Sequence, residues 1–168
     1  NPILTSLFIL QQSLGFIIGA KPGAEMIEAV KIANETRTPL LLADAPIEKT
    51  IKCVSKTSIW EKISIILPQT GHGHVDLSRL EGLTEPDALL GILGAFEKTA
   101  PNLYSCLISS RDEYIFKSVL MCGKQKVFLI IGAGHSTGII KLINNHNINN
   151  QNGQISYRIL DYSHLTGN

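Results

Sequence analysis

The sequence predicts an α/β fold: a largely parallel or mixed sheet flanked by helices and lacking one or more strands on its N-terminal side. Two observations carry that prediction. Five apolar residues in a row, Val127 to Ile131, are too few for a helix and fit a strand buried on both faces. Two further short apolar runs, Leu40 to Ala43 and Ile155 to Leu160, alternate with stretches of helical periodicity, the pattern of strand-and-helix layers. Three strands are thin for an independent sheet, so the reading includes strands that lie upstream.

The bulk properties narrow the function. A chain of 168 residues with 44 % hydrophobic residues predicts one domain with a real core. Its net charge is +1, so neither nucleic acid nor an acidic surface is implied as partner. Aromatic residues are few, which argues against base-stacking platforms. Cys53, Cys106 and Cys122 show no close spacing, which fits neither a disulfide framework nor a zinc knuckle. They read as core fillers, with a mild preference for a reducing compartment. The chain opens Asn1-Pro2 with no signal peptide, as a partial domain of something longer would.

Residues 1–20 carry no charge, and Ile3, Leu7, Leu10, Leu14 and Ile17 recur at helical spacing. A core helix is the first reading. A membrane or interface segment and a partner-facing or homo-oligomer helix through residues 2–20 are the alternatives. Pro22 and Gly23 open a helix over about 22–36, with Met26, Ala29, Val30 and Ala33 as its apolar stripe and Glu25 in its first turn. After the strand at 40–43, Asp44 or Ala45 caps a helix that begins at Pro46 and ends near Ser55. Ser58 and Glu61 form a capping box for a helix over about 58–67. Residues 68–84 read as a loop. Helices over about 84–98 and 102–121 follow, the second ended by Gly123. The strand at 127–131 runs into Gly132 and Gly134, glycines that let the backbone turn sharply or approach a ligand. A helix is expected at about 137–144, then an Asn-rich mobile loop at 144–154.

Three blocks, taken together, give the chain a resemblance to a known family. They are residues 22–51 with Gly23-x-Glu25-Met26, the Trp60-Glu61-Lys62 step, and Arg111-Asp112-x-Tyr114 paired with Ile131-Gly132-Ala133-Gly134-His135 and Gly138-Ile139. In order and spacing they resemble the TraB/PrgY/GumN family, which is related to the Tiki proteins, over about residues 2–143. The resemblance implies an α/β hydrolase-like or metalloprotease-like domain with two Gly-x-x-His motifs. It implies peptide or protein substrates, a divalent metal, and a membrane-tethered or organellar setting. Carried over, His135 is the later motif's histidine, Gly132 its glycine, Glu25 the acidic residue of the first block, and Arg111 with Asp112 the Arg-Asp element. The chain departs from the family pattern at Ser110, Ala45 and Cys53, each standing where a charged residue is usual, and shows no early Gly-x-x-His.

A histidine at a strand-to-turn junction serves as metal ligand or base, or else caps the next helix. His135 is the expected metal ligand, with Glu25 as ligand or base and Arg111 as a catalytic cation. Asp44 and Asp112 are further oxygen donors, although a helix cap is the slightly favoured role of Asp44. His72 and His74, two apart after Gly71, could chelate a metal but sit in what reads as a flexible loop. The Gly132-Ala133-Gly134 turn lacks the third glycine of a dinucleotide fingerprint and the Lys-Ser/Thr of a P-loop, so no nucleotide is expected. A metal-dependent peptide hydrolase is the first functional expectation, and a non-catalytic scaffold or membrane-associated module is the alternative.

Overall fold

A computed structural model describes residues 23–66, 85–150 and 153–160. Its elements are α1 (Ala24–Glu35), α2 (Ile47–Lys56), α3 (Ile59–Ile66), α4 (Glu85–Thr99), α5 (Pro101–Tyr104), a π-helical turn (Ser105–Ser109), α6 (Ser110–Met121) and α7 (Ala133–Asn149).

The described residues contain no strand, which overturns the α/β reading and its parallel or mixed sheet. Leu40 to Ala43, Val127 to Ile131 and Ile155 to Leu160 have no strand pairing, and Leu42 and Phe128 are 82 % and 75 % exposed. The physical reason is partnership. An apolar run specifies an extended chain only when a neighbouring strand takes up its backbone N–H and C=O groups. The segment at 155–160 is instead held by a side chain. Asn147 donates its amide to the Ile155 carbonyl at 2.8 Å and accepts the Ile155 N–H at 2.7 Å.

Helix α1 follows the predicted bounds, with Gly23 in the left-handed region at φ 83°. None of its residues is buried, so the stripe from Met26 to Ala33 covers no core among the described residues. No helix among the described residues is long and apolar enough to cross a membrane. The expected helix and contact surface within residues 1–20 and the loop at 68–84, with His72 and His74, lie outside the described residues.

The core gathers Val54 of α2, Ala100, Leu103 of α5 and Cys106 of the π turn, with Cys53, Phe96 and Leu107 packed against it. Cys53 and Cys106 are joined by a disulfide, which corrects the reading of unpaired core fillers. Their 53-residue separation hides the pairing in sequence, whereas the fold brings their Cα atoms to 5.6 Å. The bond also removes the ground for preferring a reducing compartment. Closing so long a loop lowers the entropy of the unfolded chain by an equivalent of about 4 kcal/mol.

The expected helix at 102–121 forms, but not as a regular one. In the π turn the Ser110 N–H reaches back to the Ser105 carbonyl, inserting one residue into the spiral. Leu103 and Ile115 are both buried. On a regular helix they would lie about 120° apart, and with one residue absorbed they lie about 20° apart. The insertion therefore brings Leu103 and Ile115 onto nearly the same side of the helix, where both are buried.

Helix α3 fastens its neighbours. Ser58 caps it by accepting the Trp60 N–H at 3.2 Å, but Glu61 does not complete a capping box. The Glu61 carboxylate instead accepts Asn102 Nδ2 at 2.6 Å and the Leu103 N–H at 2.8 Å, at the start of α5. There its charge complements the helix N-terminus. Lys62 is buried, and its ammonium donates to the Ser55 and Thr57 carbonyls at the end of α2.

Candidate functional site

Helix α7 begins at Ala133, four residues earlier than the sequence predicts, with Gly132 as its N-cap. His135 therefore lies inside the first helical turn, its N–H bonded to the Gly132 carbonyl at 2.9 Å. It is not on a strand-to-turn junction. Gly132 has φ −63° and ψ 143°, values any residue adopts, and a Cβ at Gly134 would meet Leu93 only at ordinary contact distance, 3.9 Å. Neither glycine is there for a sharp turn.

The glycine that matters sterically is Gly138. A Cβ built there would overlap Asp112 Oδ2 and come within 2.7 Å of its Cγ. His135 and Gly138 are three apart and share a face of α7. That face meets α6 so closely that only hydrogen fits at Gly138. The approach brings His135 Nδ1 to 2.6 Å from Asp112 Oδ1. The two residues are only 9 % and 4 % exposed. An ionised carboxylate only accepts, so the imidazole donates from Nδ1. In the neutral ring that leaves the Nε2 lone pair as the reactive one.

A second pair flanks the first. Arg111 donates from Nε to Asp44 Oδ1 at 3.1 Å and from Nη2 to Asp44 Oδ2 at 2.5 Å. Its Nη1 donates to the Leu107 carbonyl at 3.1 Å, in the π turn. Asp44 Oδ1 also accepts the Ala45 N–H at 2.7 Å. Burial pushes the Asp44 carboxyl up. The hydrogen bond and charge of Arg111, the Ala45 N–H and the nearby His135 imidazole outweigh it and hold the carboxyl below its ordinary value. Tyr104 stands near Asp112. Burial, then the charges of Glu97 and Asp112, raise its phenol above the usual tyrosine value, so it remains a neutral hydroxyl.

The sequence-predicted residues separate accordingly. Asp44, Arg111, Asp112 and His135 come together. Glu25 is exposed on the first turn of α1 and takes no part in this hydrogen-bonded group. His74 lies outside the described residues. Both Asp44 oxygens already hold Arg111, so Asp44 serves as an anchor for the guanidinium. Among the described residues no three His, Cys, Asp or Glu side chains converge as a metal shell. His135 fits one position of such a shell, as a histidine whose other nitrogen is held by a carboxylate.

Sequence reasoning missed Tyr104 and the steric role of Gly138. A glycine one turn after a histidine was the available signal, because it leaves space for a group from a facing helix.

No protein-family profile matches the chain. It is 28 % identical over 141 residues to an uncharacterized protein of Methanocaldococcus jannaschii, an alignment covering 79 % of this chain and 35 % of that protein. The chain thus spans about a third of the length of that curated relative. No solved structure matches it.

Proposed function

We propose that this chain carries the histidine-bearing half of a hydrolase site that acts on peptide amides, with His135 Nε2 as its working atom. The observation that supports this reading is the buried Asp112–His135 hydrogen bond of 2.6 Å. The substrate class rests on the resemblance to the TraB/PrgY/GumN family. Asp112 holds the imidazole in one tautomer and balances the positive charge that forms when Nε2 takes a proton from an attacking water. The same nitrogen then returns that proton to the leaving amine. Arg111, tied to Asp44 and to the π turn, positions Asp112 beside it on α6. A divalent metal bound at Nε2 would occupy the lone pair that otherwise takes the proton, and would instead polarise the amide carbonyl or the water. Among the described residues the rest of a metal shell is not assembled.

The test is hydrolysis of a peptide library by the full-length protein, with and without added Zn, Mn or Co, and its repetition with His135→Gln. A loss of at least about 100-fold supports the reading, this being the lower range for general acid–base catalysis. Absence of any hydrolysis, with or without added metal, contradicts it.

A second reading is a non-catalytic scaffold module. It is favoured by the commitment of Asp44 and Arg111 to each other and by Ser110, Ala45 and Cys53, which replace charged groups of the family pattern. In that case His135→Gln alters stability and no reaction.

A further inference from the structure

The only disulfide among the described residues ends in the π turn, and the π turn leads directly into the helix that carries Asp112. We propose that the Cys53–Cys106 bond is a redox latch that makes and breaks the Asp112–His135 pair. The inference concerns the geometry of that pair and holds whatever reaction the pair performs.

The disulfide, the π turn and Asp112 follow one another along one helix. Cys106 lies within the π turn, and its Sγ is tied to α2 through Cys53. Arg111 Nη1 occupies the Leu107 carbonyl, so the side chain after the insertion also braces it. A π insertion is a rare departure from the regular spiral and persists where surrounding contacts hold it. Cutting the tie to α2 removes a covalent member of that set. If the helix relaxes to regular α geometry, every residue beyond the turn rotates by about 100°. That turns Asp112 away from His135 and Arg111 away from Asp44.

The chemistry balances with a dithiol as reductant. Cys53 is half-buried while Cys106 is buried, so a thiolate reaches Cys53 Sγ first. The S–S bond breaks, Cys106 leaves as a thiolate and takes up a proton. The reductant's second thiol then attacks the mixed disulfide and releases Cys53 as a thiol. Two electrons pass to the protein and the dithiol becomes a disulfide. Oxidation by diamide reverses the change. Cys122, the free cysteine, lies outside the pair.

The experiment uses the full chain carrying Cys122→Ser, so that a single pair is present. Backbone amide exchange and the imidazole ¹⁵N shifts of His135 are followed before dithiothreitol, after it, and after diamide. The expected result is exchange at least tenfold faster at residues 105–112 on reduction, with α4 and the second half of α7 unchanged. His135 should lose the signature of a ring fixed as the Nδ1–H tautomer, and diamide should restore both. Cys53→Ser with Cys106→Ser should show the reduced signature without reductant. Should that variant not fold, reduction of the Cys122→Ser chain with its circular dichroism retained serves the same purpose. Three outcomes overturn the proposal. One is an unchanged His135 signature on reduction. Another is exchange that rises equally in every helix, the mark of a plain staple. The last is thiol titration that finds Cys53 and Cys106 still free after diamide.

Discussion

Asp112 Oδ2 occupies the space in which any side chain at Gly138 would have to begin. Helices α6 and α7 therefore approach to the limit set by a glycine, and that approach puts Asp112 against His135. Gly138→Ala should push the helices apart, cost about 1–3 kcal/mol as overpacking does, and break the pair. Gly134→Ala is the control. Its Cβ meets Leu93 at 3.9 Å, and the higher helix propensity of alanine should leave stability unchanged or raise it by up to about 1 kcal/mol. Chemical denaturation of the two variants checks the contrast, and equal effects at both positions would contradict it.

The Asp44–Arg111 pair predicts a dependence on acid. The folded carboxyl of Asp44 titrates below its ordinary value near 3.8. Such a group contributes stability above its unfolded pKa and loses it as pH falls through the lower folded value. The stability difference between the wild type and Arg111→Met should therefore be constant above about pH 5 and shrink below about pH 4. Denaturation midpoints from pH 2.5 to 6 measure it. A difference that stays constant to the lowest pH would show that Arg111 does not act through Asp44.

The Trp60-Glu61-Lys62 step divides into parts of unequal weight. Glu61→Ala removes both acceptors from the start of α5 and should cost about 1–3 kcal/mol. Lys62→Met leaves the Ser55 and Thr57 carbonyls without their ammonium donor and should cost a similar amount. Trp60 is 75 % exposed, so Trp60→Ala should fall within about 0.5 kcal/mol of the wild type. Thermal unfolding of the three variants tests this order, and a larger loss at Trp60 would reverse it.

Helices were legible where the chain punctuates itself. Gly23, Pro46, Ser58 and Pro101 stand at or beside the starts of α1, α2, α3 and α5, and Gly123, at φ 64°, follows α6. The Asn-rich stretch misled: helix α7 runs on to Asn149 where a mobile loop was expected from residue 144. Composition there pointed to a loop, while Asn147 in fact uses its amide to hold Ile155. The three apolar runs misled in another way, because a run states that a segment is apolar and not what will pair with it.

The candidate site was half legible. His135 and Asp112 stood out by type and motif, but Asp112 follows a π insertion that no periodicity count reveals. Asp44 was readable both as a cap and as a ligand. It is neither: the helix after it is capped at Pro46 with no side-chain bond, and the bidentate grip of Arg111, 67 residues away, makes Asp44 an anchor.

His135 Nε2, oriented by Asp112, is the working atom of the proposed site. Its most direct measurement is the peptide-hydrolysis rate of the full-length protein beside that of Asp112→Asn, which keeps the size of the side chain and loses its charge. The account predicts a kcat at least about 100-fold lower in the variant, with KM little changed and the fold intact. Equal kcat values in the two proteins, or no hydrolysis by either, would contradict it.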